Sequence, residues 1–237
     1  MEFYHILAKY YDEVFPIKEP QKRFFRDYLE TNGLTSVLDV GCGTGSYVLD
    51  LSKSGTRAMG VDLSTDMVEI AVSRARESRS SAEFAEANML DLSPVSQDFD
   101  AVMCIGNTLA HLNGEVEVQQ ALKQFSLKGN HLILQVVNYD RILAKKITEL
   151  PEIHTENLNF VRKYAHLENG SIDFSMEIEV LGQGKVVGAV NRLFPITRAR
   201  LESALNYAGW KSTGWYGSFA GEPWSENSPA TIVTAKL

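Results

Sequence analysis

The segment that most constrains the fold is residues 37–45, which read Val-Leu-Asp-Val-Gly-Cys-Gly-Thr-Gly. Its apolar start predicts a buried parallel strand, and its three glycines at alternate positions predict a tight turn that opens a helix. Glycine has no Cβ, so such a turn can adopt a positive φ and a ligand can approach its backbone closely. Asp62 ends a second strand-like segment further along the chain. Together these features predict a nucleotide-type site at the first βα turn of a doubly wound sheet.

The chain up to residue 137 alternates strand-like and helix-like segments, as a parallel α/β sheet requires. The last two strand-like segments are joined by a loop without a helix, so they can pair antiparallel. We therefore predict an α/β fold with a doubly wound, seven-stranded, mostly parallel sheet and an antiparallel last strand. Its strands are predicted at 36–40, 57–62, 83–87, 99–105, 130–137, 211–216 and 230–237.

After Asn138 the pattern changes to antiparallel β-structure. Residues 172–180 alternate strictly between apolar and polar side chains, which predicts a half-buried strand. The hairpin signal Asn169-Gly170 precedes this segment, and further strand-like segments lie at 159–167 and 185–194. We therefore predict a small three-stranded antiparallel insert.

The predicted organisation is one main domain, residues 1–138 and 196–237, that carries the insert, residues 139–195. The first 30 residues mix aromatic and charged side chains. One helical face would carry Tyr4, Leu7 and Tyr11. Two interpretations stay open: these N-terminal helices pack as part of the core, or they form a mobile lid whose tyrosines close over a ligand.

Composition and charge argue against several classes of function. The net charge of −7 disfavours general affinity for nucleic acid, because phosphate binding needs a basic face. Cys42 and Cys104 form no Cys-x-x-Cys pair, which is typical of a reduced, intracellular protein, so we expect a cytoplasmic location. No signal-peptide pattern or membrane-spanning apolar run is present, so we expect no membrane association. The five histidines lack metal-ligand spacing, so we expect no metal.

Asp39 decides between two ligands for the glycine turn. A dinucleotide site has the fingerprint Gly-x-Gly-x-x-Gly, but here the third glycine, Gly45, comes one position early. Asp39 lies two residues before the first glycine, so its carboxylate should project into the crevice and repel a pyrophosphate. A ligand with an ammonium group and a cationic centre would be attracted instead. S-adenosylmethionine has both, with a carboxylate for the helix N-terminus and a ribose diol for Asp62.

The sequence also resembles a known family. Residues 38–45, with Asp62 and Asn88-Met89, resemble the Rossmann-like (class I) S-adenosylmethionine-dependent methyltransferases, and the resemblance covers residues 36–137. It implies S-adenosylmethionine as cofactor, S-adenosylhomocysteine as product and in-line transfer of a methyl group. The shorter features Tyr4-x-x-Leu7-Ala8-x-x-Tyr11-Asp12 and residues 106–112 are similar to small-molecule methyltransferases, including glycine and amino-sugar N-methyltransferases.

The resemblance implies a set of cofactor contacts. Asp39 would face the methionine amino group, Asp62 would bind the ribose hydroxyls, and Leu63 would flank the adenine together with Met67. Asn88 departs from the family, which usually has Asp there. The implied cofactor-binding residues are Tyr11, Asp39, Gly41, Cys42, Gly43, Gly45, Asp62, Leu63, Met67, Asn88, Met89 and Ile105, with Cys42 as a small side chain that fills the turn.

The acceptor side is less specified. His111 would either satisfy a backbone carbonyl or face the acceptor and take its proton, since its ordinary pKa is near neutral. Asn107 would orient the acceptor or stabilise its turn. We predict Tyr4, Asn107 and His111 as acceptor contacts, a small-molecule N or O acceptor, and a monomer or homodimer. A cofactor-binding interaction module without turnover and an NAD-dependent oxidoreductase remain alternatives.

Overall fold

The computed structural model describes residues 2–237 and confirms the α/β fold with a seven-stranded, mostly parallel sheet. In chain order, the strands are β1 (Ser36–Val40), β2 (Arg57–Asp62), β3 (Glu83–Glu86), β4 (Ala101–Cys104), β5 (His131–Val137), β6 (Ile153–His154), β7 (Leu158–His166), β8 (Ile172–Val180), β9 (Lys185–Leu193), β10 (Lys211–Tyr216) and β11 (Ala230–Lys236). The helices are α1 (Glu2–Lys9), α2 (Tyr11–Val14), α3 (Glu19–Thr31), α4 (Ser46–Lys53), α5 (Thr65–Glu77), α6 (Glu115–Ser126), α7 (Tyr139–Ala144) and α8 (Arg198–Tyr207).

The main sheet has the strand order β10-β11-β5-β4-β1-β2-β3. Strands β5, β4, β1, β2 and β3 pair in parallel, and β11 is antiparallel to both β5 and β10. Helices cover both faces of this sheet: α3 and α4 pack with one face through Phe25 and Val48, and α6 and α8 pack with the other through Phe125 and Leu201. Strand β1 is therefore buried along its whole length, and its carboxyl end opens at the centre of the sheet.

The sequence predicts helix N-caps at Ser64 and Thr197 and a helix that starts at Thr44; the structure confirms the two caps and shifts the third start. The hydroxyl of Ser64 accepts a hydrogen bond from the backbone N–H of Met67 at the start of α5, and Thr197 caps α8 in the same way. Helix α4 begins at Ser46, two residues after the predicted Thr44. Gly45 has a φ of 78°, and this left-handed conformation cannot continue a right-handed helix, so α4 starts only after it.

The insert forms a separate sheet with the order β6-β7-β8-β9, so it has four strands rather than the predicted three. Strand β6 contains two residues, which is too short to show the alternation that identifies a strand in sequence. Strand β8 has the predicted bounds, and it lies between β7 and β9. One face of this sheet packs on α1 through a cluster that includes Phe3, Ile6, Leu158, Phe160 and Ile178. Within residues 2–237, no helix is long and apolar enough to cross a membrane.

Asn138 connects the end of β5 to the loop that precedes β11. Its side chain is fully buried. Its Nδ2 group donates hydrogen bonds to the backbone carbonyls of Ser225, Glu226 and Ser228 at 3.1, 3.3 and 3.0 Å. Its Oδ1 accepts from the backbone N–H of Arg141 and so caps α7. This one amide holds a loop, a strand end and a helix start together beside the carboxyl edge of the sheet.

Replacing Asn138 with Ala should lower the free energy of unfolding by about 3 kcal/mol, because the substitution leaves buried carbonyl and N–H groups without partners. Urea unfolding followed by circular dichroism measures this change. Asn130→Ala is the matched control, since Asn130 is exposed at the other end of β5, and its cost should stay below about 0.5 kcal/mol. Equal costs for the two variants would contradict the joining role of Asn138.

Candidate functional site

A cavity of about 1560 Å³ opens at the carboxyl ends of the central strands. Its walls come from the ends of β1, β2 and β5, the loops after β3 and β4, the helices α1 and α2, and the inner face of the insert. Of the residues predicted for the site, those that line the cavity are Tyr4, Tyr11, Gly41, Gly43, Asp62, Leu63, Met67, Asn88, Met89, Asn107 and His111. Those that do not line it are Asp39, Cys42, Gly45 and Ile105.

The turn after β1 depends on glycine at two positions that face the cavity. Gly41 has a φ of 79°, and a Cβ there would come within 2.4 Å of the Thr108 side chain. Gly43 has a φ of 55°, and a Cβ there would press against the ring of Tyr11 at 3.3 Å. Both backbone conformations are strained for residues with side chains. The turn therefore presents bare backbone to the cavity, with the Tyr11 ring packed closely beside it.

Asp39 is the most unusual group of the site. Its side chain is fully buried, and neither carboxylate oxygen has a hydrogen-bond partner among residues 2–237. Burial and, to a smaller extent, the negative charge of Asp62 raise the pKa of the Asp39 carboxyl to about 8. The prediction that this side chain projects into the crevice is not met, because β1 lies between β4 and β2 within the sheet and Asp39 is buried between Gly60 and Met103. A buried carboxylate without a partner is costly and fits a ligand that brings positive charge to the turn.

Asp62 joins the glycine turn to the end of β2. Its Oδ2 accepts a hydrogen bond from the backbone N–H of Gly43 at 2.8 Å, and its Oδ1 accepts from the N–H of Ser64 at 2.9 Å. A carboxylate oxygen has more than one acceptor position, so both oxygens can still accept from hydroxyl groups of a ligand in the cavity. Asp66 and Glu2 also line the cavity, but Glu2 pairs with Lys185 of the insert at 2.8 Å, so the negative charge on this side comes from Asp62 and Asp66.

The predicted adenine contacts form an adjoining, mainly apolar wall. Leu63 is 68% exposed and belongs to the cavity lining together with Met67 and Met89. Asn88 begins the loop after β3, where its Oδ1 accepts from the backbone N–H of Leu90 at 2.9 Å. The Asn88 oxygen is thus already shared within its own loop, while its NH2 group makes no hydrogen bond to any residue that the structure describes. The wall combines apolar side chains with a polar edge.

His111 and Asn107 differ in how their side chains are used. They lie at the two ends of the loop after β4, where residues Thr108–His111 form a single 3-10 turn. His111 lines the cavity, and its ring makes no hydrogen bond within residues 2–237. Desolvation by the surrounding protein lowers the pKa of the ring. Asn107 instead donates to the hydroxyl of Tyr139 and accepts from the N–H of Val137, both at 3.0 Å. These bonds agree with the turn-stabilising interpretation of Asn107, while the His111 ring remains available to a ligand.

The N-terminal helices combine both interpretations made from the sequence. Phe3 and Ile6 pack with the insert, as core residues would, and Tyr4 and Tyr11 line the cavity. The mobility of this segment stays a prediction.

Asp12 fastens α2 to the glycine turn and to α5. Its Oδ1 accepts from the hydroxyls of Thr44 at 2.7 Å and Ser46 at 2.6 Å, and its Oδ2 forms an ion pair with Arg74 at 2.6 Å. Arg74 also donates to the backbone carbonyl of Thr44. Because Asp12 follows Tyr11 in the chain, this network fixes the position of the Tyr11 ring beside Gly43.

The sequence did not identify the part of the cavity that the insert and α7 contribute. The residues concerned include Arg141, Phe160, Arg162, Tyr164, Phe174 and Met176. The alternation in β8 did place Phe174 and Met176 on its apolar face, but a period of two shows only which side chains share a face. Among residues 2–237, no group of three His, Cys, Asp or Glu side chains is arranged to hold a metal ion.

Asp39→Asn should make the ligand-free protein more stable, and the gain should depend on pH. The carboxyl has a pKa of 3.8 in the unfolded chain and about 8 in the folded protein, so the folded state binds the proton more tightly. Stability from this group is complete below pH 3.8 and is lost as the pH rises toward 8. Asn stays neutral, so the melting temperature of the variant should exceed that of the wild type by roughly 3 °C or more at pH 8.

Scanning calorimetry at a series of pH values checks this, and the difference should shrink toward pH 4. Asp98→Asn is the control, because Asp98 is exposed and its substitution should leave the melting temperature nearly unchanged at both ends of the range. A gain for Asp39→Asn that is the same at pH 4 and pH 8 would show that Asp39 does not titrate there.

Asp12→Asn should loosen α1 and α2. The variant weakens the ion pair with Arg74 and the bonds from Thr44 and Ser46, so backbone amides in residues 2–17 should exchange with deuterium roughly three- to tenfold faster, a modest factor because Asp12 is partly exposed. Hydrogen-exchange mass spectrometry measures the rates. Asp27→Asn, at an exposed position on α3, should leave them unchanged. Identical exchange in both variants would mean that Asp12 does not fasten this segment.

Comparisons with known proteins agree with this geometry. Residues 37–126 match a family model described as "Methyltransferase domain". The chain is 30% identical over 189 residues to glycine N-methyltransferase of Oryctolagus cuniculus, which covers 68% of this chain and 63% of that protein. A crystal structure of an S-adenosylmethionine-dependent methyltransferase from Clostridium acetobutylicum matches with a TM-score of 0.85 at 16% identity, over 100% of this chain and 98% of that chain. A sugar N-methyltransferase from Streptoalloteichus matches with a TM-score of 0.71 at 18% identity, over 92% and 88%.

The chain thus spans less than two thirds of the length of the rabbit enzyme, and the two solved structures are similar to it in fold. The matched segment contains the glycine turn and Asp62, which line the cavity, and the buried Asp39 near the end of β1. The chain therefore contains a methyltransferase domain, residues 37–126, and has the fold of the class I, Rossmann-like methyltransferases.

Proposed function

We propose that this protein transfers a methyl group from S-adenosylmethionine to a nitrogen or oxygen atom of a small-molecule acceptor. The observation that carries the proposal is the buried, unpartnered carboxylate of Asp39 behind a bare glycine turn, with Asp62 beside it at the cavity wall. Two acids at these positions suit a ligand that combines positive charge with a ribose diol, and they oppose a pyrophosphate. Bound S-adenosylmethionine supplies an electrophilic methyl group, and S-adenosylhomocysteine remains after its transfer.

In this proposal the cofactor-binding residues act through charge and shape. Asp39 attracts the ammonium group, directly or through water, and Asp62 accepts hydrogen bonds from the ribose hydroxyls while it keeps Gly43 and Ser64 in place. Leu63 and Met67 bound the adenine ring. The remaining residues proposed to shape the site are Tyr11, Gly41, Cys42, Gly43, Gly45, Asn88, Met89 and Ile105.

The residues on the acceptor side of the cavity orient the acceptor and take its proton. A nucleophile must lose its proton as the new bond forms, and the His111 ring, whose pKa is lowered, is neutral near pH 7 and can accept it. Asn107 is committed to Tyr139 and Val137, so we propose that it holds the loop against which the acceptor lies. Tyr4 and Tyr11, on the N-terminal helices, exclude water from the cavity.

The relatives named above support one class of acceptor. One is a glycine N-methyltransferase and the other a sugar N-methyltransferase, which supports an amine as the methylated group. We propose further that the protein acts in the cytoplasm as a monomer or homodimer on a free small molecule, without nucleic acid or membrane.

Asp62→Ala should weaken S-adenosylmethionine binding by roughly 100-fold, because two hydrogen bonds to a charged acceptor are lost. Isothermal titration calorimetry measures the affinity, and a melting curve of the variant separates loss of binding from loss of folding. Asp66→Ala is the control, since Asp66 also lines the cavity but is half exposed on α5. Unchanged affinity in Asp62→Ala would contradict the ribose assignment, and a wild-type protein that binds no S-adenosylmethionine would contradict the proposed function.

A further inference from the structure

The cavity walls differ in charge. The part formed by the end of β2 and the start of α5 carries Asp62 and Asp66, whereas the part formed by the insert and α7 carries Arg162 and Arg141. Among residues 2–237, neither arginine forms an ion pair with a carboxylate. A third arginine that lines the cavity, Arg192, differs from them because it pairs with Asp173 across neighbouring strands. The cavity therefore contains two guanidinium groups whose charge no protein carboxylate neutralises.

Arg162 occupies an unusual place for a cation. It lies on the inner face of the insert sheet in line with Leu158, Phe160 and Tyr164, and Met176 is its neighbour on β8. Every one of these neighbours is apolar or aromatic. Its guanidinium lies 5.4 Å from the centre of the Phe160 ring and 6.0 Å from that of Phe15, and one of its Nη groups donates to the backbone carbonyl of Pro151 at 2.8 Å. Its Nε is buried and has no partner within the part of the chain that the structure describes.

The energetic balance at Arg162 favours a ligand. A guanidinium remains charged even where burial lowers its pKa, so the cost of placing it on an apolar face is not relieved by deprotonation. A single carbonyl and two aromatic rings, those of Phe15 and Phe160, offset only part of this cost. An anion in the cavity would supply the missing partner, and the low dielectric of the aromatic surroundings would strengthen the interaction.

A buried Nε alone does not identify a binding group. Arg198 also has one, but there the guanidinium lies 4.9 Å from the ring centres of both Trp215 and Trp224, and this arginine does not line the cavity. What distinguishes Arg162 is its position in the cavity wall together with Arg141. The backbone N–H of Arg141 is fixed by the side chain of Asn138, and its own side chain makes no hydrogen bond within residues 2–237.

We infer that Arg162, assisted by Arg141, holds an anionic group of the acceptor, a carboxylate or a phosphate, while an apolar part of the acceptor lies on the aromatic wall of the insert. Phe160, Tyr164 and Phe174 form that wall. The planar fork of an arginine binds two oxygens of either group at once, which suits both chemistries. The cavity volume, about 1560 Å³, is larger than most small-ligand sites and accommodates such an acceptor beside the cofactor. This inference rests on the proposed function.

The test uses the full protein saturated with S-adenosylhomocysteine and three probes of similar shape: phenylacetate, phenyl phosphate and the neutral phenylacetamide. Affinities are measured by calorimetry or ligand-observed NMR. At least one anion should bind at least tenfold more tightly than phenylacetamide. Arg162→Gln should abolish that preference and leave the affinity for S-adenosylhomocysteine unchanged. Preference for phenyl phosphate assigns a phosphate-bearing acceptor, and preference for phenylacetate assigns a carboxylate-bearing one.

Arg200→Gln is the matched control. Arg200 also donates to a proline carbonyl, that of Pro195, and its guanidinium lies 5.0 Å from the Phe194 ring centre, but it is outside the cavity. This variant should keep the preference for the anion. Equal binding of anions and phenylacetamide by the wild type, or an undiminished preference in Arg162→Gln, overturns the inference. A wild-type protein that fails to bind S-adenosylhomocysteine contradicts the proposed function instead, so the two failures are distinguishable.

Discussion

The site depends on the burial of one acidic side chain in the middle of a parallel sheet. Asp39 lies between Gly60 on β2 and Met103 on β4, and Asp62 ends the neighbouring strand. Gly60 allows the turn after β1 to pack closely on β2, because a Cβ there would come within 2.8 Å of the Cys42 sulfur. Two acids so close together repel each other, which helps to raise the pKa of Asp39. A cation bound at the glycine turn would be attracted by both carboxylates and would offset their repulsion. Such a ligand would therefore stabilise the folded protein.

The N-terminal helices and the insert form one packed unit around this centre. Phe3 and Ile6 of α1 share a core with Leu158 and Ile178 of the insert, and Asp12 ties α2 to the glycine turn. The same unit carries Tyr11, which lies beside the glycine turn, and Arg162, which lies on β7. Because α1 and the insert pack together, the helices beside the proposed cofactor site and the insert wall of the proposed acceptor site are joined. The hydrogen bonds and ion pair of Asp12 therefore affect both.

Much of the fold could be predicted because many of its signals are local. Short patterns of side chains predict the bounds of β1 and β8, and the structure has the same bounds. The same is true of the caps of α5 and α8, at Ser64 and Thr197. Strand β6 could not be predicted, because two residues have no period. The cavity face of the insert could not be predicted either: alternation shows which side chains are buried together, but the partner of a buried face depends on how separate elements pack. Arg162 breaks the apolar pattern of its face, and that irregularity is the one signal in the sequence that could have marked it.

The distribution of charge also constrains the acceptor itself. His111 belongs to a loop of the main sheet, whereas Arg162 belongs to the insert, so a ligand that reaches both is held by two different structural units. In the proposed function, Asp62 and Asp66 favour the cationic end of the cofactor and disfavour an anion, so the anionic group of an acceptor would lie away from them. Phe160, Tyr164 and Phe174 lie around Arg162 on the insert and form an aromatic surface with few polar groups. In the proposed function, an acceptor with an apolar segment next to its anionic group therefore matches this wall of the cavity.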